Sequence, residues 1–157
     1  MIALSHLDGY AYEQWIKINP SVSVYFTDAG HILGSATVSL RIRENGKTKT
    51  LGFTGDIGRP NRPILKDPKP MPRVDYLICE STYGDRVHES EPEQNNRFLE
   101  IIKKTCVDKK GKLIIPAFSL GRTQELVFML DKMENQGLLP HIPVIMDSPL
   151  SVNVTAI

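Results

Sequence analysis

The dipeptide Asn45-Gly46, set between two runs that alternate apolar and polar residues, constrains this chain more than any other feature of its sequence. A two-residue hairpin turn needs positive φ at both central positions, which Asn and Gly adopt at low cost, so Asn-Gly between strands predicts a tight hairpin. "ATVSLRIR" (36–43) enters the turn with Val38, Leu40 and Ile42 on one face and Thr37, Ser39 and Arg41 on the other. The return strand runs from about Lys47 to Phe53, and "SVSVYF" (21–26), with the same period, supplies a strand before it. An antiparallel meander therefore opens the fold, with "DAGHILGSA" and "TGDIGR" as loops at its strand ends.

Residues 57–72 hold five prolines and several basic residues, which excludes regular structure and predicts a long surface loop. "VDYLIC" (74–79) is a nearly continuous apolar run suited to a buried strand, and "ESTYGDR" follows it as a third strand-end loop. From Ser90 the rhythm changes to alternating helices and strands. Ser90 with Glu93 has the form of a capping box, and Phe98, Ile101, Ile102 and Cys106 share one helix face. "KLIIPAF" and "PVIMD" read as strands. Between them "SLGRTQELVFMLDKMENQG" reads as a helix with Leu126, Met129, Leu130 and Met133 inward and Gly137 as its stop. Ser148-Pro149 starts a last helix that reaches Ile157 without a terminating signal, so the expectation is a helix cut short rather than a natural terminus.

Lys and Arg together number 19 against 18 for Asp and Glu, so no overall field draws a polyanion or a membrane, and any such partner must be held locally. No apolar run nears the roughly 20 residues of a membrane span, and "MIALSHLDGYAYEQW" lacks the basic and apolar regions of a signal peptide. These features predict a cytoplasmic protein. Cys79, closing an apolar run, and Cys106, in a helical pattern, are expected as two buried free thiols.

Each of the three strand-end loops carries an ionisable side chain, His31, Asp56 and Glu80, and strand ends can bring distant residues to one edge of a sheet. Imidazole and carboxylate together suit zinc, and a carboxylate can bridge two ions. Singly, each residue has a plainer reading: His31 as a turn residue, Asp56 as a turn or cap, Glu80 as a partner for Arg86. The remaining histidines do not extend the set. His88 and His141 sit in polar stretches and read as solvated, and His6 reads as structural. A catalytic zinc needs three protein ligands, so the chain holds part of a metal site. In "IPAFSLGRTQEL", Ser119, Gly121, Arg122 and Thr123 lie where a strand gives way to a helix, an arrangement that either caps the helix or holds a phosphate. The Gly-Lys-Ser/Thr ending of a P-loop is missing.

In order along the chain, "DAGHILGSA", "FTGDIGR", "YLICESTYGDR", "IPAFSLGRTQEL" and "PVIMDSPLSVNVT" resemble the motifs of the β-CASP branch of the metallo-β-lactamase superfamily, the zinc-dependent RNA-processing nucleases. The resemblance implies His31 as a metal ligand, Asp56 as the carboxylate bridging two zinc ions and a catalytic residue, and Glu80 as a nearby acidic residue acting in catalysis or in orienting a ligand. It implies RNA as partner, with Ser119 and Arg122 as candidates to hold its phosphates. The family's His-x-His-x-Asp-His cluster is absent, so zinc is expected to bind weakly or not at all and the chain alone to be inactive. The implied fold is α/β: residues 1–85 as part of a metallo-β-lactamase sandwich, and 86–157 as the first half of a β-CASP domain with a mostly parallel sheet. Half-domains leave apolar faces uncovered, which leaves room for homo-oligomers. Two other readings compete: a β-CASP nucleic-acid-binding module without catalysis, and a small-molecule metallo-hydrolase, which gives no reason for "ESTYGDR" or "AFSLGRTQE".

Overall fold

Asn45 and Gly46 take φ of 49° and 73°, and the hairpin they close lies within a five-stranded sheet. The computed structural model describes residues 3–87 and 91–156; His88 and Ser90, with the capping box expected of Ser90, lie outside the described residues. The strands are β1 (Trp15–Lys17), β2 (Val22–Asp28), β3 (Ala36–Glu44), β4 (Lys47–Phe53) and β5 (Tyr76–Ile78), and they pair in that order. β1 to β4 form an antiparallel meander, whereas β5 runs parallel to β4 after the proline-rich crossing. Three α-helices follow among the described residues: α1 (Glu91–Ile102), α2 (Arg122–Asn135) and α3 (Pro149–Thr155). The fold is α/β. The chain divides into two compact units, Met1–Thr82 and Tyr83–Ile157.

In the first unit, Thr27, Thr37 and Ser39 are more deeply buried than most of the apolar side chains on the opposite face of β2 and β3. The proline-rich crossing explains the inversion. Met71 and Val74 lie so close over Gly52 that a Cβ there would meet them at 2.6 and 3.1 Å, so small residues are what this face admits. β5 departs from the sequence expectation. Tyr76, Leu77 and Ile78 are each more than half exposed and Cys79 is exposed too, because β5 is the edge of the sheet and no described strand pairs with its outer side. Cys79 and Cys106 are free thiols, Cys106 half-buried, so neither is the fully buried thiol expected.

The second unit is built around Ile102, Met133 and Leu139, with Phe98, Leu99, Cys106, Met129 and Leu130 against them. Ile101, expected on that face, is 43% exposed. A π-helical stretch, Lys103–Asp108, continues α1 and changes the residues per turn, which carries Val107 to the core beside Cys106. Gly137, at φ 70°, ends α2 as expected. Its N–H donates to Glu134 and that of Leu138 to Met133, the paired bonds of a Schellman close. The strands expected at "KLIIPAF" and "PVIMD" are not formed: these stretches make no ladder among the described residues, and Ile114, Phe118 and Ile145 are 86–87% exposed. Apolar runs signal burial, but a strand also needs a neighbour for its backbone groups.

Candidate metal centre

The end of the sheet formed by the C-termini of β2, β4 and β5 carries the three loops singled out by sequence. In the first, Asp28 Oδ1 accepts the N–H of Gly30 at 2.9 Å, an Asx turn that reverses the chain directly after β2. Ser35 closes the loop from the other side: its Oγ accepts from the N–H groups of His31 and Ile32 at 3.1 and 3.2 Å. Its N–H donates to the Ile32 carbonyl at 3.0 Å, and its own carbonyl accepts from Tyr12 Oη at 2.9 Å. His31 is thus presented on a loop whose backbone polar groups are satisfied locally.

Two glycines bring this loop against the second. The Gly58 N–H donates to the Ala29 carbonyl at 2.8 Å. A Cβ on Gly58 would fall 1.7 Å from the Gly30 carbonyl oxygen, and one on Gly30, at φ 61°, would fall 2.7 Å from the Pro68 nitrogen. The glycines therefore let backbone meet backbone, which is closer than any side chain permits. The result is a distance of 3.7 Å between His31 Nε2 and Asp56 Oδ2, both open to solvent.

Thr54 joins the second loop to the third. Its buried hydroxyl donates to the Gly55 carbonyl at 2.8 Å and accepts the N–H of Glu80 at 3.1 Å, while its own N–H donates to Ile78 at 3.0 Å. The Glu80 carboxylate in turn accepts the Ile57 N–H at 2.6 Å. That bond, with the side chain of Thr82 and the neighbouring His31 ring adding to it, holds the Glu80 carboxyl below the usual carboxylate range. Arg86, the alternative partner, pairs with Asp85 at 2.9 Å instead. Thr54, Gly58 and Ser35 were not singled out by sequence, since each acts through bonds to residues far along the chain or to its own loop backbone.

The donors fit a metal in part. Two zinc bonds of about 2.0–2.1 Å at a tetrahedral angle put their ligand atoms about 3.3–3.4 Å apart, close to the His31–Asp56 spacing. Among the described residues no three His, Cys, Asp or Glu side chains are placed to hold a metal ion. His6 is exposed at the end of a 3₁₀ turn, and His141, in the second unit, pairs with Glu134 at 2.8 Å.

Ser119 and Arg122, in the second unit, flank the start of α2. Ser119 Oγ lies 3.0 Å from Ser148 Oγ, and Arg122 NH1 donates to Glu125 Oε2 at 3.1 Å. Gln124 Oε1 accepts the Gly121 N–H at 2.8 Å, so the helix start is capped by a side chain from its own first turn.

No family model matches the chain. A ribonuclease of Thermus thermophilus is 36% identical to it, aligned over 99% of the chain and 34% of its own length. The transcription termination factor FttA of Methanosarcina mazei is 33% identical over 92% of the chain and 23% of its own length. Subunit 3 of the cleavage and polyadenylation specificity factor of Dictyostelium discoideum is 36% identical over 95% and 19%. The chain belongs to the β-CASP branch of the metallo-β-lactamase superfamily. It spans about a third or less of the length of these β-CASP relatives. Among the described residues, no helix is long and apolar enough to cross a membrane.

Proposed function

We propose that this chain is the part of a zinc-dependent ribonuclease that carries two of its metal-binding side chains and the acidic residue beside them. The observation that carries the proposal is the convergence of His31 and Asp56 to 3.7 Å with Glu80 bonded to the residue after Asp56. The names of the relatives, a ribonuclease and a cleavage factor subunit, favour RNA over a small molecule. In this reading residues 1–85 belong to the metallo-β-lactamase part and 86–157 to the β-CASP part of a cytoplasmic enzyme.

His31 and Asp56 would hold the ions; when bound, a zinc pair supplies positive charge for the attacking and leaving oxygens of a phosphodiester. Glu80, by accepting the Ile57 N–H, fixes the loop that presents Asp56 and keeps a negative charge next to His31. Ser119 and Arg122 would take a backbone phosphate, with Glu125 orienting the guanidinium. The exposed apolar side chains of β5 offer a surface for self-association.

In the full-length parent, Asp56→Ala lowers RNA cleavage by at least about 100-fold; cleavage at the wild-type rate by that variant refutes the assignment of Asp56. The 157-residue chain, with two donors where three are needed, loses its zinc on desalting. One equivalent of zinc retained through desalting, measured by atomic emission, overturns the reading that the site is partial. The binding-module alternative is separated by the same assay, since a parent that binds RNA without cleaving it is that module.

A further inference from the structure

The other end of the sheet from His31, Asp56 and Glu80 carries a second constellation. On one face of β1, β2 and β3, the register places Trp15 opposite Tyr25, Lys17 opposite Ser23, and Ser23 opposite Arg41, with Arg43 two positions further on the same face. Trp15 and Tyr25 lie 5.2 Å apart between ring centroids, and the Arg41 guanidinium carbon stands 3.9 Å over the Trp15 ring. Arg41, Arg43 and Lys17 are exposed and make no ion pair among the described residues.

The carboxylates nearby are committed elsewhere. Asp75 accepts from the N–H and hydroxyl of Thr50 at 2.8 and 3.1 Å. Glu13 is bound by Lys69, and Glu44 points, with its register partner Lys47, to the opposite face. Lys17 and Arg43, together with the Arg41 guanidinium that covers Trp15 beside the tilted Tyr25 ring, form a local positive field on a chain whose net charge is only +1. The stack also presents a planar guanidinium already oriented by the indole, a surface on which a nucleic-acid base can lie. A lipid headgroup would use the charges alone.

We infer that this face of the hairpin is a docking site for single-stranded RNA, separated from the metal-binding end by the length of β2. Along that strand, from Ser23 to Asp28, the separation is about 17 Å at 3.3–3.4 Å per residue. The choice of RNA as the polyanion rests on the nuclease reading; the site itself rests on the strand register and the stack. Arg41 and Trp15 receive a base, and Lys17 and Arg43 neutralise the phosphates on either side.

Trp15 is the chain's only tryptophan, so its fluorescence reports the proposed site alone. Titration of the 157-residue chain with an oligouridylate of about 12 nucleotides, within the range of single-strand site sizes, is expected to quench that emission. Two neutralised phosphates give a dependence of log affinity on log salt near about −1.4, at about −0.7 per phosphate. Arg43→Ala reduces that slope by about 0.7, and Arg41→Ala weakens binding about 5-fold or more through loss of stacking. Lys47→Ala, an equal loss of charge on the same hairpin but the opposite face, leaves both quench and slope unchanged. The proposal is overturned if Lys47→Ala and Arg43→Ala weaken binding equally, or if fluorescence anisotropy of labelled RNA shows binding that does not quench Trp15. Quenching by phosphatidylserine vesicles with none by RNA overturns it as well. None of these measurements depends on cleavage: a cleaving parent whose chain shows no quench removes this proposal alone, and a quench in a chain whose parent never cleaves removes the nuclease reading alone.

Discussion

The two compact units of this chain solve the problem of satisfying a backbone in opposite ways. In the first, every described strand has a partner, and the loops that carry His31, Asp56 and Glu80 are tied to one another by long-range bonds such as the Gly58 N–H to the Ala29 carbonyl and the Glu80 N–H to the Thr54 hydroxyl. In the second, backbone order is local, and the long-range bonds come from side chains such as Ser119 with Ser148 and Gln124 with Thr155. α2 is closed by its own Gly137, α3 is opened by Ser148 accepting the Ser151 N–H, and the stretches that should be strands have no ladder. Long-range bonds fix where side chains from distant loops meet, whereas local caps fix only where each helix begins and ends. A centre assembled from three loops therefore forms in the first unit, while the phosphate candidates of the second stand on a single helix start.

The largest test of this contrast is Gly58→Ala. The added methyl would overlap the Gly30 carbonyl, a backbone group that cannot swing aside as a side chain can. We expect the first unit to lose about 3 kcal/mol or more, or to fail to fold, and the His31 and Asp56 loops to part. Trp15 emission through a urea titration follows the first unit, and circular dichroism at the helix band follows the second. A wild-type midpoint for Gly58→Ala means that the two loops are not locked by this approach.

A smaller effect is expected from Ile102→Val, which removes one buried methylene from the core of the second unit. The loss is about 1 kcal/mol, read in the helix band, with the Trp15 transition unmoved. If both probes shift together, the units fold as one and the contrast fails.

How much of this was legible beforehand follows the same division. The hairpin at Asn45-Gly46, the Gly137 stop and the Ser148-Pro149 start are local signals, and each stands in the structure where the sequence puts it. β1 was not legible, because three residues are too few to show a period. β5 was legible as a strand and misjudged as buried, since an apolar run does not say which strand becomes the edge. At the candidate centre, His31, Asp56 and Glu80 stood out by residue type and motif. The devices that bring them together did not: the Thr54 hydroxyl reaches across 26 residues and the Gly58 N–H across 29 to Ala29, and neither pairing leaves a trace in either segment alone.

The smallest and most local test within the first unit is the pH dependence of the β4–β5 junction. Asp75 accepts the Thr50 N–H and hydroxyl while its own N–H donates back to Thr50, at 2.8, 3.1 and 2.9 Å. The Thr50 N–H first, and its hydroxyl second, hold the Asp75 carboxyl below its ordinary 3.8. A carboxylate whose folded pKa is depressed binds its proton more readily in the unfolded chain, so its contribution is complete above 3.8 and is lost as pH falls through the lower, folded value. The first unit should therefore weaken as acid is added below that point, and Asp75→Asn, which cannot ionise, should remove this part of the acid dependence while costing a little stability at neutral pH. Because Asp75 is exposed, water competes for each of these bonds and the effect is small. The second unit lacks this clamp, so its helix-band midpoint should not respond to Asp75→Asn at any pH. Identical acid profiles for wild type and variant in Trp15 emission mean that β5 is held on β4 by its backbone ladder and not by this side chain.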